Sequence, residues 1–492
     1  MLEWIVNIKN LRCLQNHYHG CRLALLWVWL IAMPMRDAYA ADPSLPNIVV
    51  ILADDLGIRD LECYGSDLHE TPNIDRLASS GMRFLNAYAP APVCSPTRAS
   101  ILTGKSPARL QITIWSEGSL VSPKNRKLQQ GFSRHDLPLE EVTIAEHLQQ
   151  KNYITASVGK WHLGDASHFP ETQGFDIGIG GNHWGAPATY FFPYRGGNRF
   201  GAEFRYVPHL GFGKSGEYLT DRLTEESLRV IEYAHAEKRP FLLYLAHHAP
   251  HTPIEAKPDD IEYFDRKLKQ LKQPTLHKNA PYAAMLKSLD ESVGKVYATL
   301  ERLGMLENTW VVFTSDNGGY IGTDKAQTIP VTTNAPWRSG KGSLYEGGIR
   351  VPLIVAGLTV KPNQTTDCPV VLTDLFPTMA AWGRSAVDPT SLEGVDLNPL
   401  LNQDAKQLPP RDFFFHYPHY YHAPATTPCS AIRSGDWKLI ENFETQDYEL
   451  YNLSIDPSES QNLAPQNPSQ VQALLSKLHS WHHSTHASLP NH

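Results

Sequence analysis

Asn47-Ile48-Val49-Val50-Ile51-Leu52-Ala53-Asp54-Asp55 is an apolar, β-branched run that stops abruptly on two carboxylates. A strand with one wet face would alternate apolar and polar residues. This one does not, so both its faces are covered, as in a parallel sheet between helical layers. The same short apolar pattern returns at residues 153–158, 241–246 and 310–314. Between these runs, residues 72–78 begin like a helix that Gly81 ends, and residues 142–151 and 283–303 carry apolar side chains at helical spacing. Strands alternating with helices predict an α/β fold with a large, mostly parallel sheet flanked by helices. Near residue 385 the pattern changes. Residues 385–410 are loop-rich, and residues 413–417, 430–433, 437–442 and 448–451 are short strand candidates before a helical stretch at 468–483. We therefore expect an α/β unit over 41–384 and, over 385–492, a smaller C-terminal antiparallel sheet with a terminal helix.

The chain has 492 residues, 41% of them hydrophobic, and a formal net charge of −7. Its length suits two structural units, and without clustered Lys and Arg no nucleic-acid partner is expected. Arg22, the apolar run at residues 23–33 and the ending Ala38-Tyr39-Ala40 predict a signal peptide over 1–40, cleaved after Ala40. That makes the protein exported, periplasmic or secreted. The run is shorter than the roughly 20 residues of a span, so no stable membrane span is expected. An uncleaved anchor is the alternative, given the long polar start. Cleavage would leave Cys63, Cys94, Cys368 and Cys429. Pairing of Cys368 with Cys429 or Cys63 with Cys94 is chemically open in an oxidising compartment.

Two strand ends carry the first candidate site. Asp54 and Asp55 end one, and Asp316-Asn317-Gly318-Gly319 ends another. In open α/β sheets, ligands bind outside the carboxyl ends of strands. Three carboxylates and an amide oxygen suit Ca²⁺ or Mg²⁺ rather than zinc. Each motif alone is also good turn chemistry; their matching positions favour the metal. Cys94-Ser95-Pro96-Thr97-Arg98 through Gly104 looks like a helix, with Ser95 as cap, Pro96 at the first position and Gly104 as terminator. Cys94 would then face the positive helix end, with Arg98 one turn on. A disulfide cysteine, a surface arginine and a thiolate phosphatase are the other readings. The phosphatase loop needs an arginine six positions after the cysteine, where Ser100 stands.

The run C-S-P-T-R-A-S-I-L-T-G resembles the signature of type I sulfatases in the alkaline phosphatase superfamily. The resemblance extends through N-I-V-V-I-L-A-D-D-L-G, T-P-N-I-D-R-L-A, V-G-K-W-H-L-G, A-P-H-T-P, T-S-D-N-G and G-K-G-S-L-Y-E-G-G-I-R-V-P. It implies an alkaline phosphatase-like fold and hydrolysis of sulfate monoesters. It also implies oxidation of Cys94 to Cα-formylglycine by a formylglycine-generating enzyme. One Ca²⁺ per chain would be held by Asp54, Asp55, Asp316 and Asn317, completed by the modified Cys94. Arg98 would hold the formylglycine, with Lys160 and His162 flanking it and His251 and Lys341 on the leaving-group side. His247 and His248 are neighbours of His251, which its P-H-x-P context favours. Without the flanking motifs these lysines and histidines read as surface or core residues. The hydrated aldehyde would attack sulfur through one hydroxyl and expel sulfate through the second. Likeness to arylsulfatases and N-acetylgalactosamine-6-sulfatases implies a sulfated carbohydrate in nature and aryl sulfates in vitro. Rival readings are a phosphonate or phosphate ester hydrolase of the same superfamily and a non-catalytic binder of sulfated glycans. The aromatic and His-rich stretches 182–185, 190–192 and 416–422 suit ring stacking and local packing equally.

Overall fold

Strand Asn47–Ala53 is buried along its whole length, near the middle of the larger sheet. The computed structural model describes residues 45–121, 123–197, 203–324, 327–422 and 425–491. The expected signal segment, 1–40, lies outside them. The strand pairs in parallel with Thr309–Ser315 on one side and Phe241–Ala246 on the other. Across the sheet the order is Gln364–Thr366, Met82–Tyr88, Arg350–Ala356, Thr309–Ser315, Asn47–Ala53, Phe241–Ala246, Ile154–Gly159, Ile177–Ile179, with Val370–Val371 also on Met82–Tyr88. Every pairing is parallel except the two made by Arg350–Ala356. The expected mostly parallel α/β sheet is therefore present, with one reversed strand.

Alternation along the first strand explains the layers. Val49 and Ile51 join a core with helices Pro72–Ser80, Leu219–Glu237 and Ala280–Arg302. Ile48, Val50 and Leu52 join the opposite core with the Cys94–Thr103, Ile144–Gln149 and Leu375–Trp382 helices. Each such aliphatic side chain contributes about 1.5–3 kcal/mol by leaving water. The helix expected over 142–151 is shorter, because Thr143 and Glu146 form a capping box that fixes its start. Strand Arg350–Ala356 was not expected, since proline inside a strand argues against one. Opposite Pro352 the neighbouring strand shifts register between Phe84 and Ala87, and Arg350 donates to the Leu85 carbonyl there. The bulge absorbs the missing donor.

Asp412–Tyr417, Cys429–Ser434, Trp437–Asn442 and Asp447–Asn452 form the separate antiparallel sheet expected from the sequence. Helix Pro468–Thr485 covers one face, packing Leu474, Leu475 and Leu478 onto Ile432, Leu439 and Leu450. The other face, with Phe415, Tyr417 and Ile440, packs on Tyr88, Leu344 and Ile349. Lys438 is buried at this junction, 2.9 Å from Glu346 and 2.8 Å from Glu459. Lys438→Met removes the cation and leaves two buried carboxylates facing each other. It is expected to lower the unfolding free energy by about 3–5 kcal/mol. A urea-unfolding midpoint equal to wild type would refute this. Among the described residues, Cys63, Cys94, Cys368 and Cys429 are free thiols, so neither disulfide pairing is formed. No described helix is long and apolar enough to cross a membrane.

Candidate active site

The pairing of Ala53 with Ser315 brings Asp54 and Asp55 beside Asp316 and Asn317 at the carboxyl end of the sheet. All four are buried. Asp55 turns the chain with φ of 67°, and its N–H donates to Asp316 at 3.2 Å. Asparagine and aspartate tolerate such left-handed backbone better than most residues.

Cys94 is the first residue of a fully buried helix that Gly104 ends at φ 70°. Val93, extended at φ −146°, holds the cap position, and Pro96 stands third in the helix. The expected Ser95 cap is therefore not formed. Its hydroxyl instead donates to the His162 carbonyl at 2.7 Å and accepts the Ser116 N–H at 3.0 Å. Ser95 thus ties the helix to two neighbouring loops.

The basic residues converge on the carboxylates. Arg98 Nε donates to Asp316 at 2.9 Å, its Nη2 lies 2.8 Å from the same oxygen, and Nη1 donates to the Lys160 carbonyl. Lys160 Nζ is 2.7 Å from Asp54, Lys341 Nζ is 2.8 Å from Asp55, and His251 Nε2 is 3.5 Å from Asp55. Cys94 Sγ sits 3.4 Å from Asp54 Oδ1. Three fixed cations thus face three carboxylates around one thiol. His162 joins from the loop after strand Ile154–Gly159, with φ of 63°.

This crowding separates the acids. Burial raises the pKa of Asp316, and Asp54 beside it adds to the rise. Burial would raise Asp55 too, but Lys341 and His251 hold it down to about 2. Burial pushes the Cys94 thiol well up, against the pull of Lys160 and Lys341. The thiol therefore keeps its proton, although it starts a helix. Burial also keeps His251 and His162 neutral, each with its pKa lowered to about 3.

The donor set fits a hard divalent cation. Asn317 Nδ2 donates to Asp55 and to the Gly318 carbonyl, and its buried Oδ1 has no partner among the described residues. The side-chain oxygens of Asp54, Asp55, Asp316 and Asn317 are of the kind that suits Ca²⁺. Ligand atoms of Asp54, Asp55, Cys94 and His251 lie within 4.8 Å of one another.

A cavity of about 450 Å³ opens onto Asp55, Cys94, His162, His251 and Lys341. Sequence reasoning missed several of its other walls: Trp115, Glu117, Arg205 and Tyr320. Arg205 is carried in by the antiparallel pair of strands Arg195–Gly196 and Arg205–Tyr206 and lies over Trp184 at 4.8 Å. Of the aromatic stretches, Gly185, Tyr421 and His422 reach the cavity, whereas Tyr417 and His419 are packed inside. Tyr190 also packs, stacking on Tyr218 and donating to the His248 and His251 carbonyls. It thereby fixes the loop that carries His251.

Comparison with known proteins gives a consistent result. A family model described as "Sulfatase" matches residues 46–385, and one described as "N-sulphoglucosamine sulphohydrolase, C-terminal" matches residues 339–485. The chain is 34% identical to arylsulfatase A of Homo sapiens, covering 87% of this chain and 86% of that protein. It is 30% identical to N-acetylgalactosamine-6-sulfatase of Rattus norvegicus, covering 86% and 77%. The solved structure of Ps i-CgsB in complex with k-i-k-neocarrahexaose superposes with TM-score 0.73 at 31% identity, covering 89% of this chain and 92% of the other.

Proposed function

The chain belongs to the sulfatase family and is a sulfuric ester hydrolase, and on that premise we propose how its site works. Cys94 is the precursor of a Cα-formylglycine made by a formylglycine-generating enzyme. One Ca²⁺ would be held by Asp54, Asp55, Asp316, Asn317 and the modified residue 94. The observation that carries this reading is the thiol of Cys94, buried 3.4 Å from Asp54 inside a ring of three carboxylates and three cations.

Attack on a sulfate requires that its negative oxygens be neutralised before a nucleophile approaches. Arg98, Lys160 and Lys341 are fixed positive groups for that purpose, already oriented by their carboxylate partners. A Ca²⁺ held by these carboxylates would supply Lewis-acid polarisation of the bound sulfate. The hydrated aldehyde supplies one hydroxyl to attack sulfur and a second that a serine or cysteine lacks. His162, neutral and lining the cavity, accepts the proton of that second hydroxyl. Lys341 and His251 stand together at Asp55 on the leaving-group side. Of the two, Lys341 carries the proton at neutral pH: burial works against its ammonium, but Asp55 beside it outweighs that and raises its pKa well above the usual value, while burial leaves His251 neutral.

The natural substrate in this reading is a sulfated saccharide, with aryl sulfates as test substrates. Aromatic walls at Trp115, Tyr320 and Tyr421 support it, since such rings receive sugar or aryl faces. So does the oligosaccharide bound by Ps i-CgsB. Export by way of residues 1–40 and the division into 41–384 and 385–492 belong to the same proposal. The test compares 4-nitrophenyl sulfate with bis(4-nitrophenyl) phosphate on protein matured by a formylglycine-generating enzyme. The sulfate is expected to win by at least about 10²-fold in kcat/KM, the discrimination that a few kcal/mol of differential binding supplies. Preference for the phosphate diester would move the reading to a phosphate ester hydrolase. Tight binding of sulfated saccharides without turnover would make the chain a glycan binder.

A further inference from the structure

Glu117 stands in the cavity wall, and no step above uses it. It belongs to the short helix Ser116–Ser119, whose first N–H is held by Ser95. Glu117 Oε2 lies 2.5 Å from His162 Nε2. Its other oxygen accepts the Gly185 N–H at 2.9 Å and lies 3.5 Å from the Arg205 guanidinium. Burial works against its charge, but the contact with His162, the Gly185 N–H and Arg205 together keep Glu117 ionised, and an ionised carboxylate only accepts. The proton between the two groups therefore sits on Nε2, which leaves the lone pair of the neutral ring on Nδ1. That Nδ1 is buried and has no hydrogen-bond partner among the described residues, in a ring that lines the same cavity as Cys94.

The face of the ring is fixed as well. A Cβ at Gly185 would meet His162 Cε1 at 2.3 Å and Nε2 at 2.6 Å. Only a glycine backbone approaches a ring that closely. With Ser95 holding the His162 carbonyl, the imidazole is clamped at one edge, at one face and at its backbone.

We propose that Glu117 is a positioning residue that holds His162 in the tautomer whose Nδ1 accepts a proton at the Cys94 pocket. This rests on the reading of His162 as proton acceptor. During turnover the hydroxyl proton passes to Nδ1, the Nε2 proton stays on the ring, and Glu117 remains a carboxylate. A buried carboxylate sets the tautomer of an imidazole and stabilises the imidazolium in the same way in acyl-transfer triads.

The experiment uses the full matured chain carrying Glu117→Gln, Glu117→Asp, His162→Ala and the double change Glu117→Gln with His162→Ala. Formylglycine content and Tm are matched before 4-nitrophenyl sulfate turnover is measured. Glu117→Gln is expected to lower kcat by about 10²-fold, the usual contribution of a proton acceptor, with KM unchanged. Glu117→Asp, which keeps the charge, is expected to recover part of the loss. In the His162→Ala background, Glu117→Gln is expected to cost nothing further, since residues acting through one step are not additive. Independent, multiplying losses would assign Glu117 a merely structural role and overturn the proposal. Wild-type kcat in Glu117→Gln beside a crippled His162→Ala would overturn it too, while leaving His162 in place. Full activity in His162→Ala would instead fail the underlying reading, and the positioning role with it.

Discussion

Cys94→Ala is expected to lower kcat on 4-nitrophenyl sulfate by at least about 10⁴-fold, the scale of loss when a covalent nucleophile is removed. The change takes away one buried sulfur whose polar contact is a 3.4 Å approach to Asp54. It leaves the Arg98–Asp316, Lys160–Asp54 and Lys341–Asp55 pairs untouched, so the protein should fold and still bind the sulfated substrate. Equilibrium binding with intact Tm therefore separates lost chemistry from lost structure. Cys94→Ser sharpens the result. A serine hydroxyl attacks sulfur once but offers no second hydroxyl to expel the sulfate, so it should release at most one equivalent of 4-nitrophenol and stall. Wild-type-like steady-state activity in purified Cys94→Ala would sink the formylglycine proposal outright. The structure adds a reason to discount the bare thiol: its burial keeps the proton on sulfur, and a thiol attacks only as thiolate.

What the sequence exposed, and what it hid, follows from how local each signal is. A strand end is local: an apolar run followed by Asp54-Asp55 or Asp316-Asn317 is visible in nine residues. The register that joins the two ends is then enforced by burial on both faces. Glu117 and Arg205 are not local. Glu117 lies in a one-turn helix and Arg205 in a short strand outside the main sheet, and only tertiary packing brings Glu117 to His162 and Gly185 and Arg205 to Glu117. The cap was misread for a subtler reason. Ser95 is a favoured cap residue, but capping depends on which residue leaves helical φ and ψ, and the extended Val93 already does so. Strand Arg350–Ala356 escaped because Pro352 breaks the strand rule while a bulge in the neighbouring strand, at residues no propensity marks, repairs it. The same limit applies to Cys94. A helix N-terminus predicts a stabilised anion, whereas the degree of burial that reverses this is a property of the whole fold.

Asp316→Asn is expected to abolish stoichiometric Ca²⁺ binding and, with it, turnover. Two opposed effects act on the metal-free protein. Asp316 is raised in pKa by burial and by Asp54, so neutralising it relieves repulsion inside the cluster. It also receives the Arg98 Nε–H at 2.9 Å, and both side chains are fully buried, so its loss strips a buried guanidinium of its nearest anion. Breaking such a pair costs about 3–5 kcal/mol when nothing replaces it. Here Asp54, 3.9 Å from Arg98, and the retained amide oxygen of Asn replace part of it, so the expected loss is at the low end, about 3 kcal/mol. The metal-dependent increment is independent of that loss. Wild type should gain about 2.7 kcal/mol at Ca²⁺ a hundredfold above Kd, because the ion binds only the folded chain. Asp316→Asn should show no gain at the same concentration. Calcium analysis after dialysis, together with Tm measured with and without Ca²⁺, reads both quantities. A variant that keeps one bound Ca²⁺ and the full rise in Tm would remove Asp316 from the ligand set, leaving it as the partner that orients Arg98.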